Sequence, residues 1–197
     1  MAISRASNSS IQGGLPKFND IWDGTTATSA FDSLGAVALS STSDVSFTNI
    51  PQTYTHLQLR VFARTSRSDA SVDTVYFRFN GDTGNNYNVH TLSGAGGGGS
   101  PTSAYYGSPT VLWGAFNTPT STATANRFSA SIIDIFDYTN TSKLKTTRTF
   151  GGNDMNGSGS IDFFSGLWRN TAAITSIRLF AEGNFVSGSH IALYGIK

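Results

Sequence analysis

A chain of 197 residues with 13 Lys and Arg against 12 Asp and Glu, a formal net charge of +1, carries no global field to hold a polyanion. No basic cluster interleaves with aromatics either, so nucleic-acid binding is not expected. Charged residues are 13% of the chain against the ~25% typical of soluble domains, and the 0 cysteines rule out a disulfide framework or a thiolate metal site.

Residues Met1 to Ser10 lack the apolar run of a secretory signal, and no segment approaches the ~18 consecutive apolar residues of a membrane span. The expectation is a soluble protein made in the cytoplasm. Its length suits a single β domain, placed at residues 25–197, behind an arm at residues 1–24. Up to Gly14 the arm is small and polar. Leu15, Phe18, Ile21 and Trp22 then recur at helical spacing, with Pro16 in a first-turn position and Gly24 as a stop. Two readings stand: a helical turn packed on the chain's own sandwich, or an anchor for another subunit. Burying such side chains is worth about 1.5–3 kcal/mol each, enough to hold a polar arm on a partner.

Strand patterns follow to the end of the chain. Phe31 to Leu39 and Val45 to Ile50 are the first, with Pro51 blocking continuation. The cleanest alternation sets Leu57, Leu59, Val61 and Ala63 opposite His56, Gln58, Arg60, Phe62 and Arg64. Val72 to Phe79 repeats it with Val75, Phe77 and Phe79, and Asn80-Gly81 marks a tight turn because both residues tolerate positive φ. Ser93 to Pro101, rich in glycine, is expected to be irregular and the most mobile segment. Thr110 to Phe116 reads as a short strand and Asn117 to Asn126 as a polar loop. Phe128 to Tyr138 and Lys143 to Phe150 read as a hairpin, and Ile161 to Trp168 as a further strand. At the C-terminus Ile177, Leu179 and Ala181 share one face of a strand, as do Ile191 and Leu193 of the last one. This pair reads as a hairpin with a long loop plugged by Phe185 and Val186. Some eight to ten short strands predict an all-β, antiparallel two-sheet sandwich of jelly-roll type, with an immunoglobulin-like sandwich as the second reading.

The sequence offers no catalytic or metal constellation. His56, His90 and His190 sit in no ligand or triad motif, Glu182 is the only glutamate, and Asp134 and Asp137, read as lying in one strand, are oddly spaced and cannot share a face. Asn80 to Asn86 is oxygen-rich but lacks an EF-hand's alternating acids and closing glutamate, so it reads as a hydrogen-bonded turn. Neither an enzyme nor a cofactor is expected. Tyr105, Tyr106 and Trp113 flank the glycine-rich stretch, and aromatic faces beside polar side chains suit a glycan-binding cleft. Core packing or contact with a neighbouring subunit explains them at least as well.

Several stretches carry a resemblance: Ile3-Ser4-Arg5, Ser9-Ser10-Ile11-Gln12, Leu15-Pro16-Lys17, Ile50 to Leu57, Phe79 to Tyr87, and Ser187 to Ile196. Together the chain resembles surface proteins of tailed-bacteriophage virions. The resemblance implies a β-sandwich module on the particle, either a capsid decoration (cement) protein or a tail-fibre, adaptor or receptor-binding tip with a host glycan as ligand. A fibre needs a coiled-coil or collagen-like stem, and none is encoded, which favours decoration. The partners implied are the major capsid protein or another virion protein, in a homotrimer on the outer surface of a virion assembled in the host cytoplasm. No nucleic acid and no membrane are expected as partners.

Overall fold

The structure, a computed structural model, describes residues 30–197 apart from 98 and 108. Its strands are β1 (Phe31–Ala38), β2 (Thr42–Phe47), β3 (His56–Ala63), β4 (Val72–Phe79), β5 (Tyr87–Ala95) and β6 (Thr102–Gly107). The second half supplies β7 (Leu112–Pro119), β8 (Ser129–Ile135), β9 (Lys145–Asp154), β10 (Gly159–Trp168), β11 (Ile177–Phe185) and β12 (His190–Ile196). All pairings are antiparallel. An eight-stranded sheet runs β1-β12-β3-β8-β9-β10-β5-β6 and a four-stranded sheet runs β2-β11-β4-β7.

The topology is that of a jelly roll with two inserted hairpins. The first strands pair with the last in a nested wrap, β1 with β12, β2 with β11, β3 with β8 and β4 with β7. Removing β5–β6 and β9–β10 leaves an eight-stranded roll of two four-stranded sheets. The two hairpins lie side by side beyond β8 and double the width of one sheet.

Alternation in the sequence follows from burial on one face, and the core gathers those faces. Leu57, Leu59 and Val61 of β3, Ile133 and Ile135 of β8, and Ile191 and Leu193 of β12 meet Val75, Phe77 and Phe79 of β4 and Ile177 and Leu179 of β11 in one buried cluster. Periodicity does not say which strand lies alongside, and here the expected C-terminal hairpin is corrected. β11 and β12 belong to opposite sheets, joined by a crossing over residues 186–189 that starts from Phe185, fully buried at the end of β11. The crossing is pinned to the end of β3, the Val186 N–H donating to the Arg64 carbonyl at 3.0 Å and the Ser189 hydroxyl to the same oxygen at 3.1 Å. The Asn80-Gly81 turn has the expected positive φ, 51° and 68°, yet it too links opposite sheets. The β8–β9 hairpin forms as expected, with Asp134 opposite Arg148.

Two further corrections concern the middle of the chain. Ser93, Gly94 and Ala95 are not irregular: they end β5, held by pairing with Asp162, Ile161 and Ser160 of β10. Asp137 is not in a strand, because β8 stops at Ile135 and Asp137 sits in the turn with φ 47°.

Candidate interaction surface

Along part of β9 and β10 the usual alternation is inverted. Thr147 and Thr149 of β9 and Ser160 and Asp162 of β10 point inward and are buried, while Phe150, Ile161 and Phe163 point outward. A strand pair built to face water has the opposite pattern, apolar in and polar out.

The outward residues line up. Across β3, β8, β9, β10 and β5 one register row reads Arg60, Ile132, Phe150, Phe163, Leu92. Its four apolar members are 43, 58, 39 and 53% exposed, and Ile161 in the neighbouring row is 64% exposed. Scattered single apolar residues need no explanation, whereas a continuous row four strands wide marks an interaction surface. At one end Arg60 is held over the Tyr194 ring, 4.7 Å from its centroid, and donates to the Gln58 side chain at 3.1 Å.

Beside this row the sheet dips into a groove of about 1250 Å³. Its floor is Ala130 and Gly152, next to each other in the row Phe62, Ala130, Gly152, Ile161, Gly94. Gly152 has backbone reasons to be glycine, since a Cβ there would run into the Ser160 carbonyl. The walls are apolar: Phe62 stacked on Phe128 at 4.8 Å on one side, Ile132, Phe150 and Ile161 on the other. His190 and Asp154 stand at the rim. A floor of small residues between aromatic walls accepts an apolar side chain from a partner.

The aromatics singled out from the sequence fall in two places. Tyr105 and Tyr106 are adjacent on β6 and so point to opposite faces of the sheet. Tyr106 packs on Trp113 at 4.6 Å, and Trp113 in turn stacks on Phe116 at 5.2 Å and meets Phe164 edge-on at 5.8 Å, which places it against the core. Tyr105 lies on the other face, exposed, 4.5 Å from His90. The three do not form one cleft. Leu15, Phe18, Ile21 and Trp22 of the arm lie outside the described residues. Sequence reading missed Ile132, Phe150, Ile161 and Phe163 as a surface; the signal was the apolar residues of β9 and β10 standing opposite threonines, serine and aspartate.

The remaining polar clusters are structural. Asp82 accepts from the Trp168 indole N–H at 2.7 Å, the Asn86 amide at 3.0 Å and the Gly84 N–H at 2.9 Å. Burial alone would raise its carboxyl, but these hydrogen bonds outweigh it and hold the group below the usual carboxylate range. Asp73, buried, accepts from Thr65, the Thr74 N–H and the Gly183 N–H, with Arg67 bridging it to Asp69 and Glu182. Lys145 is buried with its ammonium donating to the carbonyls of Asn140, Lys143 and Thr171, and burial pushes its pKa down. His56 accepts the Asp137 N–H at 3.0 Å. Among the described residues no group of three His, Cys, Asp or Glu is placed to hold a metal ion, and no helix is long and apolar enough to cross a membrane. No family model matches the chain, and no curated protein or solved structure is found to be similar to it.

Proposed function

We propose that this chain is a non-enzymatic structural protein of a bacteriophage virion, a capsid decoration protein that lies on the outer surface of the shell. The observation that carries the reading is the inverted alternation along part of β9 and β10, which puts Phe150, Ile161 and Phe163 in water where the neighbouring inward positions hold Thr147, Thr149, Ser160 and Asp162. The inserted hairpin that bears these residues lies outside the eight strands of the jelly roll, and its exposed apolar outer face supports a contact role. An apolar sheet face on a protein of net charge +1 suits a broad, static partner such as the major capsid protein, because it needs no steering field and gains from every side chain it covers. The arm adds Leu15, Phe18, Ile21 and Trp22 as further apolar anchors by sequence. The carboxylates with the most partners, Asp73 and Asp82, are consumed in holding loops, which fits a protein without chemistry of its own.

One observation favours a second reading, a glycan-binding tail tip or adaptor: Tyr105 stands 57% exposed beside His90, an aromatic face open to a sugar. Cryo-microscopy of purified particles separates the two. Density of this sandwich spread over the capsid supports decoration, density at the tail supports the tip, and particles lacking the protein altogether refute both.

A further inference from the structure

We infer that β6 is a self-association edge, where two copies of the chain pair strand to strand, antiparallel, about a two-fold axis perpendicular to the eight-stranded sheet. The two sheets offer four edges, β1, β6, β2 and β7. An open edge displays unpaired backbone N–H and C=O groups, and proteins blunt such edges with bulges, charges, proline or irregular backbone. Three of these edges are blunted. β1 is broken by a register shift between Ser33 and Gly35 and carries Asp32 paired with Lys197. β2 carries Asp44, ion-paired with Arg178 at 2.6 Å. β7 has register shifts against β4, a left-handed Asn117 at φ 52°, and ends in Pro119.

β6 has none of these devices. Its six residues, Thr-Ser-Ala-Tyr-Tyr-Gly, include no charge and no proline, pair with β5 in unbroken register, and are all exposed. Among the described residues no strand covers its other side. The occupant we assign to this edge is a second copy of the chain. The net charge of +1 sets up little repulsion between copies, and β6 is the single edge regular enough to be paired, so a like partner must present the same strand. The geometry also joins the two apolar surfaces. An axis perpendicular to the sheet keeps both outer faces on one side, so the row ending at Leu92 and Ser103 continues across the joint into the second copy. The inferred two-fold pair differs from the three-fold assembly implied by the resemblance, and it does not rest on the virion reading.

The test uses the full chain. Light scattering coupled to size exclusion should give twice the chain mass, and Ser103→Lys, which sets like charges close together across the axis, should return it to a monomer with an unchanged circular dichroism spectrum. The absence of native cysteine permits a direct probe of register: Ser103→Cys, Ala104→Cys, Tyr105→Cys and Tyr106→Cys made singly. Oxidation should cross-link the residue on the axis most strongly and fall off on either side of it, because facing Cα atoms in such a pair lie within disulfide reach. A monomer at every concentration, a trimer mass, or a dimer that survives Ser103→Lys and cross-links at none of the four positions would overturn the inference.

Discussion

Asp82 shows how one side chain ties distant parts of the chain together. It joins the turn after β4 to Trp168 at the end of β10, 86 residues away, and Trp168 is almost fully buried. Asp82→Ala leaves that indole N–H without a partner and is expected to cost about 1–3 kcal/mol by chemical denaturation. Its depressed pKa adds a pH signature. The contribution is complete above the ordinary value of 3.8 and is lost as pH falls through the lower folded value, so acid unfolding should be less steep in the variant. At the alkaline end Tyr87 acts in the opposite sense. Burial pushes its phenol from 10.0 up to about 12, so its contribution is full below pH 10 and lost as pH rises through about 12. Lys145, pushed down by burial, acts against this, since its penalty is relieved as pH rises toward the usual lysine value of 10.5. Tyr87→Phe should flatten the alkaline loss of stability measured by urea midpoints between pH 9 and about 12, at the cost of about 0.5–1.5 kcal/mol for its hydrogen bonds at neutral pH. Leu59 and Leu179 are both fully buried, one in each sheet, and truncating either to alanine should cost about 2–5 kcal/mol. These two were legible because strict alternation marks them. The Asp82 to Trp168 bond was not, because nothing local in Asn80 to Asn86 points to a partner so far along the chain.

At the scale of elements, local pattern identified strands better than it identified their neighbours. Alternation marks β3, β4, β11 and β12 as strands, but it reads β11 and β12 as one hairpin when each belongs to a different sheet. β5 and β6 escaped notice for a different reason. Half of β5 and all of β6 lack a buried face, so no alternation of polarity exists to read there. The glycine-rich stretch behaves accordingly. Gly96 donates its N–H to the Gly159 carbonyl at 2.8 Å and its backbone lies against Ser158 and Gly159, so the start of the stretch is structural. Gly97, at φ 89°, should lose more than about 1 kcal/mol on substitution by alanine, whereas removing Gly99 and Ser100 should barely move the melting temperature, because closure entropy changes slowly with loop length. Gly152→Val is expected to be far worse than either, since the added side chain meets the backbone of β10 at the groove floor.

For the whole molecule, the jelly-roll class was visible in the count and spacing of strands, and the nested pairing confirms it. The interaction surface was not visible, because inversion of inside and outside on β9 and β10 is apparent only once each strand's facing is known. Phe150 and Ile161 look like core residues in the sequence and stand in water in the fold. The doubled width of one sheet, its apolar outer row and the groove beside it fit the proposed reading of a rolled sandwich stabilised by its own core, whose inserted hairpins present an outer face to a partner. The most direct test is co-sedimentation of the purified chain with capsids assembled without it, comparing the native sequence with Phe150→Ser combined with Ile161→Ser. Both side chains are more than half exposed, so the variant should keep its circular dichroism spectrum and melting temperature. The native chain is expected to pellet with the capsids and the variant to stay in the supernatant; a variant that pellets as the native chain does would rule out the β9–β10 face as the attachment surface.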